Sequence, residues 1–191
     1  MTVVAGPPGS GKSIRLSVQD FGVDFFNVDE RCRELHGTFA AIPPEIRRLA
    51  QEECEAFVQE HIDSGISFAL ETTLGGKAAA ALQARQAKDA GFFTSIVYVA
   101  TADVEINIER IRRRGLAGGH SAPPAVILEI HKQSLGNLAA ALSGFDRGEV
   151  YDNSGNAPRL VLRVLNGSLE EVLPPVPDWL RTALADSPLA V

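Results

Sequence analysis

Cysteine is nearly missing from this chain: Cys32 and Cys54 are the two it has, with neither the C-x-x-C spacing of a redox motif nor companions for a zinc site. Both read as reduced, structural thiols. His36, His61 and His131 are likewise too scattered to suggest a metal centre. Positive charge is in deficit, with 18 Lys and Arg against 24 Asp and Glu for a net charge of −6. That balance argues against general nucleic-acid binding, which needs a basic face. No apolar stretch approaches the ~20 residues of a membrane span, and Met1 leads into a strand-like segment without the basic and apolar regions of a secretory signal. A cytoplasmic protein without membrane association is expected. Repeats and low-complexity linkers are absent too. The pairs Pro43-Pro44, Pro123-Pro124 and Pro174-Pro175 mark helix starts and loops rather than a domain boundary, so residues 1–191 are expected to form a single domain.

What is present is concentrated at the start. Gly6-Pro7-Pro8-Gly9-Ser10-Gly11-Lys12-Ser13 fits the phosphate-binding pattern G-x-x-x-x-G-K-S/T. Its glycines allow backbone angles that turn successive N–H groups inward around a phosphate. Lys12 would set an ammonium against the β- and γ-phosphates, and the Ser13 hydroxyl is a candidate Mg²⁺ ligand. A helix opening at Ser13 would aim its positive end at the same anion. Thr2-Val3-Val4-Ala5 suits a buried parallel strand feeding the loop. A nucleoside triphosphate site, with ATP and Mg²⁺ as cofactors, follows.

Strands and helices then alternate. Helices are expected from Lys12 to about Phe21, Pro43-Pro44 to Ser64, Lys77 to Ala90, after Asp103 through Arg114, and from Pro124 to Leu142 in one piece. Strands are expected at Asp24–Val28, Ile66–Leu70, Thr94–Val99, Val150–Ser154 and Leu160–Val164. That order predicts an α/β, three-layer, mostly parallel sheet, which with the phosphate loop is a P-loop NTPase arrangement. Two strands end in polar residues at the ligand-binding edge: Asp29 and Glu30 after one, Glu71-Thr72-Thr73 after another. Phe25, Phe26, Phe92 and Phe93 read as core. Gly115-Leu116-Ala117-Gly118-Gly119-His120 reads as a flexible turn within an arginine- and glycine-containing lid at about residues 112–125.

These residues, in order, resemble the zeta-toxin-like kinases of the P-loop superfamily, particularly small stand-alone bacterial members. The resemblance runs over about Val3 to Gly167. It rests on the GPPGSGKS loop, Asn27-Val28-Asp29-Glu30, Phe68 through Leu74, Arg110-Ile111-Arg112-Arg113-Arg114, Gly118-Gly119-His120 with Pro123, Ser134 through Leu138, and Tyr151-Asp152-Asn153-Ser154. It implies transfer of the γ-phosphoryl group of ATP to a hydroxyl of a small molecule, of which a UDP-sugar is one example, and an antitoxin as a protein partner. Two departures stand out. Leu128, Glu129, Ile130 and His131 occupy positions where relatives usually carry arginines, and Ala122-Pro123 replaces a valine-proline. Two alternatives remain open: a nucleotide or metabolite kinase unrelated to toxins, and an ATP-binding regulatory module without turnover.

Phosphoryl transfer is positioning plus charge neutralisation. Asp29 is the candidate to orient the attacking hydroxyl and take its proton, against the plain alternative of capping a helix that starts at Glu30. Glu71 and Thr72 are candidate substrate contacts, against an exposed strand-end carboxylate and a capping hydroxyl. Arg110 and Arg114, four apart, share a helix face and could grip one phosphate. Arg113 is the rival, Arg112 lies about 160° from Arg114, and a solvated face paired with Glu105 and Glu109 is the alternative to any clamp. His120 is a candidate phosphate or substrate contact from the lid. Asn153 is offered as an approach to the adenine on the resemblance alone.

Overall fold

A computed structural model describes residues 1–12, 22–39, 41–76, 79–116, 119 and 122–191. The expected helix after the phosphate loop, with Ser13, and the lid residues Gly118 and His120 lie outside the described residues.

Strand β1 (Thr2–Ala5) is the axis of the molecule, with Val3, Val4 and Ala5 all buried. Its short apolar run carries no polar alternation because both faces are covered, as a central parallel strand requires. It pairs in parallel with β3 (Phe68–Thr72) on one side and β4 (Ser95–Ala100) on the other. Beyond these lie β2 (Asp24–Asn27), parallel to β3, and β5 (Arg147–Asp152), parallel to β4. Strands β6 (Arg159–Leu165) and β7 (Ser168–Val172) add antiparallel pairs, giving the order β2-β3-β1-β4-β5-β6-β7. The expected α/β, mostly parallel sheet is what the chain forms.

Helices fill the crossovers. Helix α1 (Val28–His36) starts at Asn27, whose side chain accepts from the N–H groups of Asp29 and Glu30. Helix α2 (Pro44–Ser64) begins with proline, whose missing N–H costs nothing in a first turn, and ends where the Gly65 N–H bonds back to His61 and Ile62. Its Ala50, Cys54, Phe57, Val58, His61 and Ile62 recur at helical spacing and pack toward the core. Helix α3 (Ala79–Asp89) precedes β4, and α4 (Val104–Leu116) follows it. The stretch expected as one helix from Pro124 to Leu142 is two, α5 (Pro124–Gly136) and α6 (Leu138–Gly144), broken at Asn137. The Asn137 side chain donates to Leu74 O at 2.8 Å, a tertiary bond that fixes the break. Helix α7 (Asp178–Leu184) buries Trp179, Leu180 and Leu184 in the same core cluster that α2, α3 and α6 build.

Three further expectations are corrected. The third strand begins two residues later than expected, so Glu71 and Thr72 close β3 instead of following it. Helix α4 continues through Gly115 and Leu116, so the start of the proposed lid, residues 112–116, is helical. Phe93 is 62 % exposed, and the large buried phenylalanines are Phe68 and Phe145.

One ion pair ties the sheet together at its N-terminal end. Asp146 accepts from the Thr94 N–H at 2.7 Å and the Thr94 hydroxyl at 2.9 Å, and Lys88 Nζ lies 3.0 Å away. Burial alone would raise the Asp146 carboxyl, but the Thr94 and Lys88 contacts outweigh it and hold the group below its ordinary value.

Candidate active site

Parallel strands end in a common edge, and every polar group of interest gathers there. The phosphate loop leaves β1 at Gly6, whose N–H donates to Thr72 O at 3.2 Å across the β1–β3 pair. Two glycines are dictated by crowding. A Cβ on Gly6 (φ +142°) would stand 2.0 Å from Val99 O, and one on Gly9 (φ +75°) would stand 2.6 Å from Asn107 O. The loop is therefore pressed against β4 and α4, and no side chain fits between them.

Two buried asparagines hold it from behind. Asn107 on α4 donates to Pro8 O at 2.8 Å, while its side-chain oxygen accepts from the Thr101 hydroxyl. Asn153, just past β5, donates to Ser10 O at 2.7 Å. Its own carbonyl accepts from Arg110 Nη2 at 3.0 Å. The Asn153 side chain therefore grips the loop, and the approach to adenine offered on the resemblance is corrected. Sequence reading passed over Asn107 altogether. An asparagine between Ile106 and Ile108, on a helix following a strand, was the one available signal.

A cavity of about 450 Å³ opens in front of the loop, lined by Pro8, Gly9, Gly11, Lys12, Asn27, Asp29, Glu30, Phe39, Glu71, Thr73, Arg110, Ile111, Arg113 and Arg114. The structure thus brings Lys12, Asp29, Glu71, Arg110 and Arg114 around one space. Arg112 is outside it, bonded to Glu109 at 2.8 and 3.0 Å. Arg113 lines the cavity while donating to the same Glu109 at 2.7 Å. With two arginines on it, the Glu109 carboxyl is held down to about 2.

Lys12 is buried, with Nζ donating to Gly6 O at 2.8 Å and Pro7 O at 3.2 Å, and 3.7 Å from Glu71 Oε1. Burial lowers its pKa, Arg114 adds to the fall, and the Glu71 and Asp29 carboxylates resist it. Asp29 is the second residue of α1, and Asn27 does the capping, so the capping alternative for Asp29 is removed. Its carboxylate instead sits 3.3 Å from Arg47 Nη1 of α2. Thr72 accepts from Leu74 N through its hydroxyl at 3.1 Å, a local turn bond, and lines a neighbouring cavity described below.

The donor set fits an anionic nucleotide. Arg110 Nη1 is buried without a hydrogen-bond partner among the described residues, and Arg110 faces one cavity with Lys12, Arg113 and Arg114. The Asp29 and Glu71 carboxylates in the same cavity are hard oxygen donors of the kind Mg²⁺ takes. Ser13, the ligand expected from the motif, lies outside the described residues, as does His120.

A second cavity of about 450 Å³ adjoins the first, sharing Asn27, Asp29, Glu71 and Thr73 with it. It lies between α2, β3 and the start of α3. Sequence reading gave no sign of it, because it depends on how two helices splay over the sheet edge.

Comparison with known proteins agrees with this architecture. A structure from the PezAT chromosomal toxin–antitoxin system of Streptococcus pneumoniae is similar with TM-score 0.64 and 18% identity, over 98% of this chain and 79% of that one. A complex of AvrRxo1-ORF1 with AvrRxo1-ORF2 gives TM-score 0.73 and 13% identity over 98% of this chain, which spans only 63% of that chain's length. A putative kinase from Chloroflexus aurantiacus gives TM-score 0.55 and 14% identity, covering 70% of this chain and 78% of that one. No curated protein matches. These likenesses show a P-loop kinase-like fold. The family described as AAA domain (AAA_33) matches residues 1–135, the portion that holds the phosphate loop, both carboxylates and the arginine helix, and the chain belongs to that family.

Proposed function

We propose that this protein transfers the γ-phosphoryl group of ATP to a hydroxyl of a small molecule. The observation that carries the reading is the single cavity that joins the phosphate loop, the Asp29 and Glu71 carboxylates and the arginines of α4. The family and the loop support nucleotide binding. The AvrRxo1-ORF1:AvrRxo1-ORF2 complex has also been solved with ATP, in a chain of which this one spans 60%.

In the proposed reaction the acceptor oxygen attacks the γ-phosphorus while the bond to the β–γ bridging oxygen breaks, and ADP leaves with the bonding electrons. Asp29 orients the hydroxyl and takes its proton. Lys12, Arg110 and Arg114 neutralise the charge that spreads over the phosphoryl oxygens. Asn107 and Asn153 keep the loop carbonyls turned away from the phosphates, so that its N–H groups face them. Ser13, with Asp29 and Glu71 as further oxygen donors, would hold Mg²⁺, which when bound neutralises phosphate charge. The part of the expected lid that follows α4, with His120, is proposed to close over the nucleotide and exclude water. Residues 1–191 are proposed to work as one domain in the cytoplasm. Among the described residues no helix is long and apolar enough to cross a membrane.

The acceptor that the toxin resemblance supplies is a UDP-sugar, and the likeness to a structure from the PezAT toxin–antitoxin system supports assaying for an antitoxin partner. A second reading, ATP binding without turnover, draws on the Arg47–Asp29 pair, which occupies the carboxylate proposed as base. ADP release in the presence of ATP and candidate acceptors separates the two. Acceptor-dependent release that Asp29→Asn removes supports transfer. ATP binding with no release above the acceptor-free rate supports the binding module.

A further inference from the structure

The second cavity lies on the acceptor side of Asp29, so its lining bears on what is phosphorylated. A hydroxyl held there meets Asp29 and Thr73 at the boundary with the phosphate-loop cavity. The volume, about 450 Å³, is in the range of small-ligand sites and suits a molecule of sugar size.

Its polar lining is of one kind. Gln51, Gln83 and Thr73 each offer both donors and acceptors, the pattern that hydroxyl groups complement. No aromatic ring lines it among the described residues, so it has no platform for stacking a base. Among the described residues its charge is unbalanced. Asp29, Glu55 and Glu71 face one guanidinium, Arg47, which is already 3.3 Å from Asp29, while Glu71 faces Lys12. Glu55 has no ion pair among the described residues. Glu55 is solvent-exposed and its side of α2 lines the cavity beside Cys54.

The geometry points to a polyhydroxylated acceptor that carries no anionic group, with an amine on it favoured by Glu55. This rests on the phosphotransfer reading above. A phosphorylated acceptor would bring negative charge to a site whose one described cation is committed. An ammonium group would pair with the exposed Glu55 carboxylate, which has no ion pair among the described residues.

The test is ADP release by the full chain with ATP and four matched compounds: glucosamine, N-acetylglucosamine, glucosamine 6-phosphate and UDP-N-acetylglucosamine. The expected order of kcat/KM places glucosamine about tenfold above N-acetylglucosamine, and both above the two phosphorylated compounds. Faster turnover of either phosphorylated compound overturns this inference and leaves the kinase reading standing. ATP binding with no release above the acceptor-free rate for all four overturns the kinase reading and this inference with it. Glu55→Gln then tests the amine preference through a ratio that is indifferent to the fraction of folded chain. The glucosamine to N-acetylglucosamine ratio should fall to about one. A ratio that stays near ten removes Glu55 from acceptor recognition.

Discussion

The two ends of the sheet hold their carboxylates in opposite ways. At the N-terminal end, Asp146 is saturated: two bonds from Thr94 and an ammonium at 3.0 Å leave it no freedom and hold its pKa down. At the C-terminal end, Asp29 and Glu71 have long single ion contacts, 3.3 Å to Arg47 and 3.7 Å to Lys12, and face cavities. A carboxylate held by several short contacts stabilises a fold but would have to give them up to take a substrate. Loosely paired ones contribute little stability and can exchange partners. The same residue type thus has a structural use at one edge and a chemical use at the other.

That contrast can be broken or sharpened by substitution, beginning with the largest effect. Lys12→Ala should reduce acceptor-dependent ADP release by roughly 10³-fold, with the melting temperature nearly unchanged. Its amino group bonds loop carbonyls, pairs with Glu71 at 3.7 Å and faces the cavity, and none of these contacts ties it to the core. A melt that collapses along with the activity would make Lys12 a structural residue instead.

Asp29→Asn should leave ATP affinity within about threefold and slow transfer by roughly 10²-fold. Because Asn27 supplies the cap and the Arg47 pair is exposed, the cost in stability should stay below about 1 kcal/mol. Single-turnover rates and an ATP titration read the two quantities separately.

The arginines of α4 divide in the same manner. Arg110 and Arg114 line the cavity, so Arg110→Ala and Arg114→Ala should each slow transfer by roughly tenfold to a hundredfold. The double variant should cost less than the product of the two, since both act on one group. Arg112→Ala, which removes an exposed pair with Glu109, should stay within about twofold. Equal, small effects at all three positions would turn the helix into a solvated face.

Asp146→Asn should spare the rate and lower stability by about 2 kcal/mol, the worth of hydrogen bonds to a charged group. The sign follows from the depressed carboxyl. Its stabilisation is fully present above the ordinary aspartate value of 3.8 and is lost as pH falls through the lower folded value. The gap between wild type and variant should therefore be constant near neutrality and close only in acid. Denaturant titrations at pH 7 and pH 3 read the change.

Much of this was legible before the fold was known, for reasons that differ by residue. The phosphate loop and β1 declare themselves because a nest of N–H groups requires glycine and a central parallel strand requires an unbroken apolar run. Asp29 and Glu71 follow from strand ends, whose position sets the ligand edge. Local pattern could not reveal what tertiary contacts decide. The break at Asn137 depends on a carbonyl 63 residues earlier, Leu74 O. The loop clamps Asn107 and Asn153 bond to Pro8 and Ser10, also far away in sequence. Strand β7, with an exposed Ser-Leu-Glu-Glu-Val sequence at the sheet edge, shows no apolar alternation to find. Helix α1 escaped because Cys32 is its one fully buried residue. Phe93 read as core on composition, although it lies at the mouth of a turn where its ring faces water.

The most direct measurement sets Asp29→Asn beside Asp146→Asn and records transfer rate and melting temperature for both. The expected pattern is crossed: Asp29→Asn loses roughly 10²-fold in rate and little in melting temperature, while Asp146→Asn keeps its rate and melts roughly 4–8 °C lower. Parallel behaviour of the two variants, in rate or in melting temperature, would contradict the division of labour between the two ends of the sheet.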